Sequence, residues 1–548
     1  MRRAAQRARN PGRSGAGSGL IGGPLAPSRR KSNQLWGPAL RPEDLGSARP
    51  HTGQGPQSRR RVGRGRDGCL PQTEGSNAPS RGRIRPATLC RKTLRRLPIR
   101  RGDCLEGGMQ ETPSRFADAC PVSGALPAPP PVGRIERAGL WLRDHPRAVS
   151  GLQWATVALY LPLVFLPVVL PPPGPDARIW TDLTLLSQAL LWGVWLPGVL
   201  VSVLLFGRLW CGLFCPEGAL SAAASRHGRG RAIPRWMKWP GWPFALFCAV
   251  TLYGQMIALY DDPRAAALLF GLSTSAALLV GWLYGKNKRV WCRFLCPMNG
   301  LFALLSQLAP LHYRVDARAW DNCPPARART MRFNCEPMVP VRMMESAGPC
   351  HMCGRCAGFR DAVRLEARVP GEELVRTSAT SGESLLLLGG LLGLGSATIW
   401  WPHAPWLAAL SEAVGGQGTA PWFLVGSGGG AMSFGAGAAR LLTILTIAAG
   451  IALWAALPLA LAAGKENLPR LARALLPLAA AGLLVGFGQR TAALLECDAR
   501  AFWSAILAGS AFWSLWLAAR FSRRWRVPGA VAVALSVPLA GWGWVIWS

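Results

Sequence analysis

Arg208-Leu-Trp-Cys211-Gly-Leu-Phe-Cys215-Pro216 and Arg289-Val-Trp-Cys292-Arg-Phe-Leu-Cys296-Pro297 are two copies of one pattern, 81 residues apart. Each has a basic residue, Trp two places later, then Cys-x3-Cys-Pro. Each follows a hydrophobic run long enough to cross a bilayer, which needs about 20 apolar residues. Four thiols at matched spacing and matched depth suit a cube of iron and sulfide, which takes four cysteine ligands. Four thiols buried without metal would need neither the Trp nor the Pro, and not twice. Within a copy the cysteines are four positions apart, one helical turn, so both sulfurs are expected on one face. Pro216 and Pro297 fit the first position of a following helix, where no backbone donor is needed.

Working outward, apolar runs of spanning length fall at 148–170, 184–206, 239–260 and 265–285. They resume after a polar gap at 384–402, 441–463, 474–488, 502–519 and 528–547. The sequence predicts an all-α polytopic membrane protein of about nine transmembrane helices, with a small cytoplasmic ferredoxin-like Cys-rich segment. Composition agrees: half of the 548 residues are hydrophobic, 25 are Trp and only 16% are charged. Every second loop is basic, from Arg134, Arg137, Arg143 and Arg147 before the first run to Arg520, Arg523, Arg524 and Arg526 after the eighth. The positive-inside rule then places the N-terminus, both Cys pairs and the polar gap in the cytoplasm, and the C-terminus outside. A bacterial inner membrane is the expected location. Disulfides are disfavoured in the cytoplasm, so clustered cysteines there read as metal ligands.

The expected organisation is a basic head over 1–133, a four-helix membrane domain over 134–309, the ferredoxin-like segment over 310–383 and a C-terminal membrane domain of about five helices over 384–548. Before Met109 stand 24 basic and 6 acidic residues, so more than half of the net charge of +34 lies in that first fifth. The head is rich in Arg, Gly, Pro and Ser, without an apolar period, and is expected to be disordered. Met109 is an alternative start. The head has almost no aromatic residues to stack on bases, so nucleic acid is not an expected partner. Cys69, Cys90, Cys104 and Cys120 have no cluster spacing.

The polar gap carries Cys350-His-Met-Cys353-Gly-Arg-Cys356, three-quarters of a bacterial ferredoxin motif. The fourth cysteine of that motif would stand where this chain has Arg360. Two upstream residues could complete a second cluster, Cys335 (followed by Glu336 and Pro337) and Cys323 (followed by Pro324), with Cys335 favoured as the nearer. A zinc site on the same thiols is the rival reading. His351 is expected to point away from the ligands. Nine cysteines stand in these motifs and two cubanes need eight, so one is spare. Cys248, inside the third run, and Cys497 have no partner at useful spacing.

The paired Cys-x3-Cys-Pro motifs, followed by a ferredoxin-like Cys run, resemble the membrane polyferredoxin family. That family includes the ferredoxin-type subunit of periplasmic nitrate reductase systems and the membrane half of the nitrous-oxide reductase regulator. The likeness covers roughly residues 148 to 370 and implies two 4Fe–4S clusters. It implies cluster ligands at Cys211, Cys215, Cys292 and Cys296, and at Cys350, Cys353 and Cys356. It also implies electron transfer between the quinone pool or a cytoplasmic donor and a partner redox protein, a component more than a stand-alone enzyme. The chain departs from the family in lacking a second complete ferredoxin motif and in adding about four C-terminal spans. No flavin is expected, because no sizeable outside domain precedes the first run. None of the six His residues (51, 145, 227, 312, 351 and 403) lies well inside a run, so no haem is expected. Asp261 and Asp262, at the outer end of the third run, could accept the protons of a quinol or simply form a solvated turn. The alternative function is a metal-binding assembly or regulatory protein for a respiratory metalloenzyme, without redox turnover.

Overall fold

The long apolar runs fold as helices because a backbone in lipid must satisfy its own hydrogen bonds. The computed structural model describes residues 133–174, 176–323, 332–415, 418–426, 432–495, 497–522 and 525–547. The basic head, with Met109 and its four cysteines, lies outside the described residues. After α1 (Arg134–Asp144) come α2 (Pro146–Val169) and α3 (Leu183–Phe206), then two short helices, α4 (Leu209–Leu213) and α5 (Pro216–Arg226). Next are α6 (Trp242–Met256) and α7 (Pro263–Tyr284), followed by α8 (Val290–Phe294) and α9 (Met298–Leu305). A second group of long helices follows: α10 (Ser381–His403), α11 (Phe434–Ala463), α12 (Leu468–Ala493), α13 (Arg500–Phe521) and α14 (Arg526–Trp547).

Among the described residues eight helices are long and apolar enough to cross a membrane: α2, α3, α7 and α10 to α14. The run at 239–260, expected as a further span, forms the 15-residue α6. At 1.5 Å per residue it reaches about 22 Å, short of a hydrocarbon core of about 30 Å. It begins with Pro243 in its first turn, and it stops where Ala258 takes a positive φ of 50°. Phe244 and Phe247 of α6 lie over Gly389 and Gly390 of α10, wedging the helix between the two helical groups. Pro477, in the run at 474–488, stands in the first turn of the helix Leu476–Leu494 and breaks nothing.

In the second group α10 and α12 are the central helices. They have 67% and 78% of their apolar windows buried, against 22–44% for the other six spans. Leu387, Leu391 and Leu392 of α10 meet Leu475, Leu476 and Leu478 of α12 in one core that also takes in Ile444 and Leu459 of α11. Buried Arg473 ties this group to the polar segment, donating to the carbonyls of Thr377 and Ser378 and pairing with Glu383 at 2.7 Å.

The polar segment departs from the all-α expectation. β1 (Leu311–Val315) and β2 (Val363–Ala367) form an antiparallel two-stranded ladder, with Tyr313 opposite Leu365. Tyr313, Val363 and Leu365 are buried with Met352 and Val341 beneath the ladder. α1 crosses it closely: a Cβ on Gly139 would lie 2.9 Å from that of Leu365. The segment is held to α9 by Arg368, which donates to the carbonyls of Ala309 and Ser306 while pairing with buried Glu373. Ladder and staple fix the Cys-rich loop against the ends of the membrane helices.

Candidate metal centre

Two matched turns present the paired cysteines. At Gly207 φ is +63°, a value glycine takes freely, and the chain turns from α3 into α4, which carries Cys211. In the second copy Asn287 (φ 56°) precedes α8, which carries Cys292. Both short helices end before the second cysteine. The Trp210 carbonyl accepts from the amides of Phe214 and Cys215, each at 2.9 Å, and the Trp291 carbonyl accepts from those of Leu295 and Cys296 at the same distance. The spacing predicts both thiols of a copy on one helical face; instead the second lies beyond the helix end. Cys215 opens α5, its Sγ accepting from the Gly218 amide at 3.4 Å, and Pro216 takes the first helical position as expected. Pro297 stands one place earlier than expected, as the residue before α9.

The two copies converge. Burial pushes the thiols of Cys215 and Cys296 well up, and the neighbouring thiols of Cys292 and Cys211 add to it in both cases. Cys292 is pushed up to about 12 by burial, against the pull of Arg289. Such thiols give up their protons only to a strong Lewis acid or a nearby positive charge.

The second group forms in the polar segment. Cys350 is pushed up to about 12 by burial, and Cys356 is raised by burial too; Cys353 and Cys335 add to both shifts. The thiols of Cys350 and Cys335 each accept an amide, from Met352 and Val339, at 3.4 Å. Such hydrogen bonds favour sulfur carrying negative charge. Of the six non-glycine residues with positive φ among the described residues, four lie in this segment: Met338, Met352, Arg360 and Asp361. Strain of this kind persists where the surroundings over-determine the backbone, and it clusters at functional sites. Arg360, where the ferredoxin pattern would have its last cysteine, donates to the Trp320 carbonyl and lies 5.2 Å over the Trp320 ring. Cys335 reaches the group because the turn before α8 straps it there. Lys288 donates to the Cys335 carbonyl and the Asn334 side chain, and the Arg289 amide donates to the Glu336 carbonyl at 2.8 Å. Cys323 stands at the edge of the undescribed stretch 324–331.

The two groups touch. A Cβ on Gly212, between Cys211 and Cys215, would lie 2.3 Å from the His351 carbonyl oxygen and 3.1 Å from both Cα and N of Cys353. His351 is buried, and burial, then Arg208, Arg289 and Arg293, hold its pKa well below the usual value, so the imidazole is neutral. The basic residue that opens each copy spans the junction. Arg208, 3% exposed, donates to the Gly348 carbonyl at 2.6 Å and to Asn299 at 2.8 Å. Arg289, 2% exposed, pairs with Glu336 at 2.7 Å and donates to the Cys211 carbonyl at 3.0 Å. Trp291 of the second copy donates to Glu217, the residue after the first copy. In the sequence, the signal for both arginines is a basic residue repeated before the same Trp in each copy.

The donor chemistry fits a polynuclear cluster of iron and sulfide: soft sulfur donors on two paired turns and a Cys-rich loop, amides aimed at sulfur, and buried cations beside them. Cys248 lies within α6 and Cys497 is exposed. At the far end, Asp262 caps α7 through the Arg264 amide and Asp261 pairs with Arg490 at 3.0 Å. Both acids thus have structural partners.

Fold and site define a helical membrane protein in which two Cys-x3-Cys turns adjoin a Cys-rich polar segment. Comparison with known proteins agrees. The family described as "4Fe-4S binding domain" matches residues 188–234 and 267–315, each stretch holding one Cys-x3-Cys-Pro pair. The "Putative electron transport protein YccM" of Escherichia coli is 25% identical over 230 residues, covering 37% of this chain and 63% of that protein. The "Regulatory protein NosR" of Pseudomonas aeruginosa is 25% identical over 213 residues, covering 34% of this chain and 25% of that protein. The chain thus spans less than two thirds of either relative. No solved structure matches. The resemblance to membrane proteins that bind 4Fe–4S clusters is borne out.

Proposed function

We propose that the chain is an integral-membrane iron–sulfur electron-transfer protein. In this reading Cys211, Cys215, Cys292 and Cys296 hold one 4Fe–4S cluster, and Cys335, Cys350, Cys353 and Cys356 hold the second. Each bound cluster takes up and releases one electron. The observation that supports the reading is the close backbone approach of Gly212, between Cys211 and Cys215, to His351 and Cys353; clusters held on either side of it would lie within reach of electron tunnelling. The chain's own residues exclude water, orient the thiols and supply counter-charge. Electrons would pass between the quinone pool or a cytoplasmic donor and a partner redox protein, with the cysteine end facing the cytoplasm of a bacterial inner membrane. The four-part division at 133, 309 and 383 belongs to the same reading. The relative described as an electron transport protein supports it.

The relative described as a regulatory protein favours a second reading, a metal-binding regulatory or assembly protein without redox turnover. Low-temperature EPR of anaerobic membranes, before and after a quinol analogue and then dithionite, separates the two. Electron transfer predicts signals from two interacting reduced clusters after dithionite, and after quinol if the donor is the quinone pool. Clusters that take up no electron from either reductant would favour the second reading and sink the first.

A further inference from the structure

The two motif arginines stand at matched positions before α4 and α8. Each is almost fully buried; Arg289 reaches into the first copy of the motif and Arg208 to Asn299 just past the second, and each also grips the segment that carries the second thiol set. Arg208 ends on Asn299 beyond Cys296 and on the Gly348 carbonyl just before Cys350. Arg289 ends on the Cys211 carbonyl and on Glu336, next to Cys335. Arg289 thus stands between Cys211 of the first set and the Glu336 that follows Cys335 of the second. Glu336 is itself shared, its other oxygen accepting from Arg355 at 2.7 Å, so part of its charge is answered at the surface rather than by Arg289.

Two clusters held on either side of this junction would repel each other once both are reduced, since each adds an electron to a site with little solvent. A buried guanidinium keeps its charge at any accessible pH and acts strongly in a poorly screened junction. We propose that Arg289 is a positioning residue whose fixed charge is shared by both clusters, so that both can be held reduced at the same time. The proposal rests on the electron-transfer reading above. Arg208 is its counterpart on the other side of the junction, between Asn299 and the Gly348 carbonyl.

The test is a redox titration of the full chain in detergent, followed by EPR, for wild type, Arg289→Gln and Arg289→Lys, with iron content measured on each. In Arg289→Gln both clusters should become harder to reduce, each by on the order of tenfold in the reduction equilibrium, or about 59 mV for a one-electron couple. The spectrum of the doubly reduced pair should fade at potentials where wild type shows it. Arg289→Lys should restore most of both shifts, because it keeps the charge while losing the fork geometry. Loss of iron in Arg289→Gln with retention in Arg289→Lys would equally support a requirement for charge. The proposal is overturned if only one cluster moves, if neither does, or if lysine behaves as glutamine does, including loss of iron in both. Wild type without iron would overturn the electron-transfer reading instead, so the two failures are distinguishable.

Discussion

Replacing Gly212 with alanine places a methyl carbon 2.3 Å from the His351 carbonyl oxygen and 3.1 Å from both Cα and N of Cys353. Real contacts of this kind are not found below 3.0 Å, so the loop bearing Cys350, Cys353 and Cys356 must retreat by about 0.7 Å or more. The atoms in the way are backbone, so no side-chain rotation can relieve the clash. Overpacking of this size costs about 1–3 kcal/mol, which shifts the balance between docked and displaced loop by about 5- to 150-fold. The displaced loop exposes the second thiol set while leaving α4 and α8 in place. Anaerobic protein challenged with an iron chelator should therefore lose the iron of the second cluster faster by a factor in that range. The first cluster should keep its spectrum, and the magnetic interaction between the two should weaken. Gly198→Ala in α3 is the control, since a Cβ there meets nothing within 4 Å. If Gly212→Ala loses iron no faster than Gly198→Ala and keeps the same interaction, the two sites do not depend on this contact.

Single-cysteine changes should divide by site. Cys211→Ser or Cys296→Ser should abolish the first cluster, Cys353→Ser should remove the second and leave the first, and Cys248→Ser should leave both, as read by iron content and EPR. Cys335→Ser should behave like Cys353→Ser and Cys323→Ser like Cys248→Ser; the reverse pattern in the same assay would move the fourth ligand to Cys323. Arg473→Gln should cost about 2–4 kcal/mol, less than a fully buried pair because Glu383 is 32% exposed. The expected result is a lower Tm in detergent with iron content unchanged before heating, and an unchanged Tm would refute the anchoring role.

The repeated motif made the first site legible in the sequence, because ligand type, spacing and depth are all local properties. The spans were legible for the same reason, since length and hydropathy decide them. The short α6 was not, because its run is as apolar as its neighbours and only packing against Gly389 and Gly390 reveals a wedge. The β1–β2 ladder escaped because its strands are five residues each and 47 residues separate them. The grouping of Cys335 with the ferredoxin-like run depends on Lys288 and Arg289 strapping it from a distant turn, which nearness in sequence hinted at without giving the reason. Arg208 and Arg289 were visible as letters of the pattern, but their reach across the junction exists only once the two copies have met.

Iron, acid-labile sulfide and zinc measured together on anaerobically purified full-length chain bear most directly on the claim that it carries two 4Fe–4S clusters. The expected result is about eight iron and about eight sulfide per chain with no stoichiometric zinc. Stoichiometric zinc, or the absence of both iron and sulfide, would contradict it.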